Sequence, residues 1–115
     1  MDPEKLASLL AAYETDVRFP DTSGMEHFDM LLSRTKLENN RQLLTAEQKD
    51  RLVAADEQMA RQLDAFYAAI IQVADVAEWR EAISPPATHW WWYLDVLSHA
   101  RPRLQASIGQ QPATV

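Results

Sequence analysis

The chain is predicted to be all-α: a four-helix bundle with a long third helix, or five helices if that one breaks. Three observations predict this. Apolar residues recur at steps of three and four along most of the 115 residues, and Ala and Leu are abundant. Only two glycines, Gly24 and Gly109, are available for the tight turns a β protein needs. Clear helix-start signals precede several of the periodic stretches.

The first helix opens at Asp2, with Pro3 in its first position and Glu4 complementing the dipole. Leu6, Leu9, Leu10, Tyr13 and Val17 follow at helical spacing, and residues 18–24 read as a turn. A second helix, from Met25 to Lys36, puts Met25, Phe28, Leu31, Leu32 and Thr35 on one face and Met30 and Leu37 nearly opposite. Apolar on two sides, it is expected to sit between neighbours. His27, beside Glu26 and Asp29 on one helix face, reads as solvated.

Thr45-Ala46-Glu47-Gln48 matches a capping box and starts the third helix. Its seam runs through Leu52, Asp56, Met59, Leu63, Phe66, Ile70, Val73 and Ala77, with Val53, Ala60, Tyr67, Ile71 and Ala74 as a second flank. Asp56 reads as the rim of that stripe. An unbroken helix from Ala46 to Ile83 would span ~57 Å, whereas a globule of this size is ~27 Å across. Either it breaks or it protrudes and pairs with a second chain. The apolar set drifts round the helix past Val73, and Asp75 can cap a fresh start, so a break is expected between Ala74 and Glu78. Ser84-Pro85-Pro86 punctuates the chain, and a last helix is expected from Ala87 or Thr88, bent at Pro102. Residues 1–108 form one domain in this reading and 109–115 a disordered tail.

Composition narrows the function. There is no cysteine, which removes disulfides, thiol catalysis and thiolate metal sites. Two glycines at these positions cannot supply GxGxxG or a Walker loop. Seventeen acids against eleven bases give a net charge of −6, which argues against nucleic acid and anionic membrane as partners. The acidity is concentrated in residues 1–33, with seven acids and two bases. No signal-peptide pattern or membrane span is evident, and a soluble cytoplasmic protein is expected.

His89-Trp90-Trp91-Trp92-Tyr93 is the unusual feature. On a helix these rings project ~100° apart. Trp90 shares a seam with Leu94 and Leu97, flanked by Tyr93, and is assigned to the core. Trp91 falls with Asp95 and Ser98, Trp92 with His99 and Arg103, both away from it. Loops at 18–24 or 84–88 could cover them; left uncovered, they would anchor an interface, for which tryptophan is a preferred residue. The interface candidates are therefore Trp91, Trp92, Trp79, His99 and Arg103. His99, four residues after Asp95, reads as a surface pair rather than a catalytic dyad, since no nucleophile is placed beside it. No metal-ligand spacing is present, and neither cofactor nor metal is expected.

These observations predict a non-enzymatic helical interaction module, a homodimer, adaptor or assembly factor docking through its Trp-rich helix. The alternatives are an acidic, antitoxin-like inhibitor of a basic partner, and a ligand-binding bundle or enzyme with a pocket of Trp79, Trp90, Tyr67 and His89 or His99.

Overall fold

The computed structural model describes residues 2–99. They form an all-α fold of five helices, α1 (Pro3–Asp16), α2 (Gly24–Asn39), α3 (Ala46–Arg61), α4 (Leu63–Ile70) and α5 (Val76–Ile83), followed by a sixth, α6, at 94–99. Two 3₁₀ turns intervene, Arg41–Leu43 and Trp90–Trp92. The expected bend at Pro102, Arg103 and the tail at 109–115 lie outside the described residues.

The caps form as their chemistry dictates. Asp2 accepts from the Glu4 backbone N–H (3.1 Å) ahead of Pro3, and Ser23 does the same for Met25 (3.2 Å). The capping box is complete, Gln48 N–H donating to Thr45 Oγ1 (3.1 Å) and Thr45 N–H to Gln48 Oε1 (2.9 Å). From α1, Leu6, Leu10 and Tyr13 enter the core with Val17, meeting Leu52, Ala55 and Met59 of α3.

Helix α2 is central, as its two-sided pattern predicts: α1 packs on it, as do α4 and the 90–92 turn. Its buried face is rotated from the expected one, with His27, Met30, Leu31, Arg34 and Leu37 inside and Met25 half exposed. At its start Gly24 permits a close approach. A Cβ there would lie 2.6 Å from Val73 Cγ2 and 2.7 Å from the Ala69 carbonyl oxygen.

The long third helix is three pieces. The expected break occurs at 71–75, slightly before the predicted place, and Asp75 caps α5 by accepting from Ala77 N–H (2.8 Å). A further break falls at Gln62 (φ −112°, ψ 23°), between α3 lying on α1 and α4 lying on α2. The seam stays in phase across it, so periodicity carried no warning. The last helix starts at 94 rather than 87 or 88. After Pro85-Pro86 the chain enters the core in 3₁₀ form, whose ~120° step per residue redistributes the indoles.

A candidate docking groove beside a buried tryptophan pair

Trp91 and Trp92, expected to project outward, are 1% and 0% exposed. Consecutive rings reach the same interior because the segment carrying them is not α-helical and because one atom receives both. Trp91 Nε1 and Trp92 Nε1 each donate to Thr35 Oγ1 at 2.9 Å, and the Thr35 hydroxyl donates to the Leu31 carbonyl (3.0 Å). A hydroxyl has one hydrogen and two lone pairs, so Thr35 is saturated. Trp92 also meets Phe28 edge-on, at 5.8 Å between centroids. Neither indole can anchor an interface, and that assignment is corrected.

Below them lies a charged network the sequence did not reveal. Arg34, 2% exposed, donates through Nε and Nη2 to the two oxygens of Asp56 (2.9 Å each), and Tyr13 donates its phenol to Asp56 Oδ1 (2.6 Å). The fork-on-carboxylate geometry suits the guanidinium. Burial, then the adjacent Asp56 charge, pushes the Tyr13 phenol far above its ordinary range, so it stays protonated and keeps donating. Arg34 also lies against the Trp91 ring (4.2 Å), as does His89, stacked at 4.6 Å. Asp56 is thus more than the rim of a stripe: it ties α3 to α1 and α2. A lone Arg at i+3 from Leu31 and i−3 from Leu37 was the available signal. His27, expected in solvent, is also buried, with Nε2 3.0 Å from the Pro20 carbonyl oxygen and its ring on Phe66.

With two indoles occupied inside, Trp90 is left half-buried at the edge of the core. It lines a surface groove of about 430 Å³ together with Val53, Ala60, Leu63 and Leu97, walled by Asp56 and Glu57. Helices α3 and α4 supply one side and the 90–97 segment the other. Val53 is 50% exposed on this face, and Glu57 is exposed beside it.

The remaining candidates are dispersed. Trp79 is half-buried against Phe28, with centroids 4.5 Å apart, and is committed to holding α5 on α2. His99 is exposed and meets Tyr67 edge-on at 6.1 Å. Its Nδ1 lies 2.6 Å from the Asp95 carbonyl oxygen, while the Asp95 carboxylate takes Arg80 (2.7 and 3.3 Å), so no carboxylate–imidazole dyad forms. Arg103 lies outside the described residues. Of the aromatic pocket expected from Trp79, Trp90, Tyr67 and His89 or His99, the groove takes Trp90 alone; Tyr67 and His99 meet each other outside it, Trp79 packs on Phe28 and His89 on Trp91.

Among the described residues no group of three His, Cys, Asp or Glu converges to hold a metal ion, and no helix is long and apolar enough to cross a membrane. The chain matches no family model, no curated protein and no solved structure.

Proposed function

We propose that this chain is a helical protein–protein interaction module, with no enzymatic chemistry of its own, that docks a partner through the groove lined by Trp90. One observation carries the reading: an apolar concavity that holds a half-exposed valine and the half-buried Trp90 indole, whose ring meets Trp91 edge-on at 5.9 Å. Interfaces draw much of their energy from a central tryptophan in such a setting, rimmed by polar groups. The sequence pointed to the same aromatic run but to the wrong rings; Trp90 takes the role assigned to Trp91 and Trp92. The absence of cysteine suits a reducing compartment, and the proposed setting is the cytoplasm.

Photo-cross-linking in the source cells tests this. A benzophenone side chain at position 53, inside the groove, is compared with one at Val96, which is equally exposed but is not among the residues lining it. Protein adducts formed from position 53, weak or missing from position 96, and abolished by Trp90→Ser are expected. Equal labelling from both positions, or none from position 53, would overturn the assignment.

A further inference from the structure

On the other side of α3 from the docking groove, a polar cleft of about 150 Å³ lies between that helix and the end of α1. Arg18, just past α1, and Arg51 and Arg61 of α3 line it, three of the chain's eight arginines on a protein of net charge −6. Among the described residues, Arg34, Arg41, Arg51 and Arg80 each hold a carboxylate. The two described arginines that do not, Arg18 and Arg61, line this one cleft. Arg51, Ala54, Gln58 and Arg61 follow at steps of three and four, so they share one side of α3, and the small alanine leaves the space open.

The polar groups left over are donors. Glu14, the single acid of the lining, takes Arg51 through Nε (3.1 Å) and Nη2, which leaves Arg51 Nη1 unengaged. Arg61 Nη2 donates to Gln58 Oε1 (3.1 Å), fixing the amide so that its NH2 is the free end. Three guanidiniums against one carboxylate leave two positive charges in excess. Arg18 follows the C-terminus of α1 and Arg61 ends α3, where positive charge complements the helix dipole. That accounts for their sign but not for their convergence on one concavity.

We infer that the cleft binds the dianionic phosphate group of a small phosphorylated metabolite, with Arg18, Arg61 and the Gln58 amide donating to its oxygens and Arg51 beside them. The excess of two charges matches a phosphomonoester dianion, whereas a carboxylate would neutralise half of it, and guanidinium forks suit phosphate oxygens. The volume is about a third of the docking groove's, which favours a small anion over a peptide. No lining residue is shared with that groove, so the inference does not rest on the docking reading.

The test titrates the full chain with β-glycerol phosphate at constant ionic strength, and nuclear magnetic resonance follows the Gln58 side-chain NH2, the arginine Nε–H signals and the Arg18 and Ala54 amides. Arg18→Gln and Arg61→Gln, both on exposed side chains, should each weaken binding about fivefold or more. Lys49→Gln removes the same charge from α3 outside the cleft and should leave Kd within about twofold. Ala54→Leu, at an exposed position, changes no charge but fills the cleft, and should weaken binding about tenfold. Lowering the pH from about 7.5 to about 5.5 protonates the phosphomonoester through its second pKa of ~6 and should raise Kd about fourfold. Glu14 stays ionised throughout, its carboxyl held below the ordinary 4.5 chiefly by the Arg51 hydrogen bond. Binding that Ala54→Leu leaves unchanged, or an equal loss with Lys49→Gln, would overturn the inference, since either shows attraction to surface charge rather than occupation of the cleft. So would acetate shifts of the same size at the same ionic strength, or a Kd for β-glycerol phosphate indifferent to its protonation.

Discussion

Thr35→Val is the perturbation that most directly tests how adjacent tryptophans are buried. Valine keeps the shape of threonine and removes the acceptor, stranding the Trp91 and Trp92 indole N–H groups on side chains that are 1% and 0% exposed. An unsatisfied buried donor costs about 1–3 kcal/mol, and Thr35 is itself half-buried, so the lower part of that range applies to each. The two together amount to about 3 kcal/mol. For a domain of this size that is a fall in Tm of about 12–20 °C. Urea unfolding followed by tryptophan fluorescence and near-ultraviolet circular dichroism measures it. Thr35→Ser is the matched control: it retains Oγ, loses one methyl, and should cost about 1 kcal/mol. A valine variant as stable as the serine variant would refute the claim that this hydroxyl holds both rings.

Further outcomes follow from the same contacts. Asp56→Ala leaves the Arg34 guanidinium and Tyr13 phenol without their shared acceptor, and should cost about 3–5 kcal/mol in urea unfolding; Tyr13→Phe with Arg34→Met and Asp56→Leu should recover most of it. Gly24→Ala, which would raise helix propensity on an open surface, should instead destabilise by about 1–3 kcal/mol, because its Cβ meets the Ala69 carbonyl and Val73. Ser84 ends α5 in the left-handed region (φ 52°, ψ 54°), so Ser84→Gly should raise stability by about 1 kcal/mol. Arg51 holds the Glu14 carboxyl, and Arg41 the Glu38 carboxyl, below the ordinary value of 4.5, in each case chiefly by a hydrogen bond. Groups depressed on folding contribute stability that is complete above the unfolded value and is lost as pH falls through the folded one. The contribution of these two pairs should therefore be level from neutrality down to about pH 5 and decline below about pH 4.5, by under about 1 kcal/mol for each pair because both are partly exposed. Denaturation midpoints across that range, with Arg41→Gln and Arg51→Gln flattening the decline, check it.

The helices were legible in the sequence because local chemistry decides them. Asp2-Pro3, the Thr45–Gln48 box and Asp75 each satisfy orphan backbone donors within a few residues of themselves, and the stripes at Leu6/Leu10/Tyr13 and Leu52/Met59 repeat with the helix period. What was not legible is tertiary. The interruption at Gln62 has no breaker residue and no phase change; it exists because α3 and α4 lie on different neighbours. The burial of Arg34 depends on Asp56, twenty-two residues away, and that of Trp91 and Trp92 on Thr35, more than fifty away. Each of these groups reads as surface or misfit when its partner is out of view, since burying a charge or an indole N–H is unfavourable until that partner is supplied.

The same accounting explains why the candidate groove lies where it does. Expecting an α-helix through residues 88–99 assigned Trp90 to the core and its two successors to the outside; the 3₁₀ turn inverts that assignment. Thr35 has two lone pairs and both are used, so a third adjacent indole has no place at that acceptor. Trp90 is left at the boundary, against Leu63 and Leu97, with one wall of its groove formed by the carboxylate that holds Arg34 under Trp91. The half-buried indole that lines the groove and the pair that locks the core are therefore consequences of one local conformation. Straightening 90–92 into an α-helix, by replacing Pro85 and Pro86 with alanine, should weaken both together: the near-ultraviolet signal of the buried pair and the cross-link from position 53. Loss of one with full retention of the other would show that the groove does not depend on the turn.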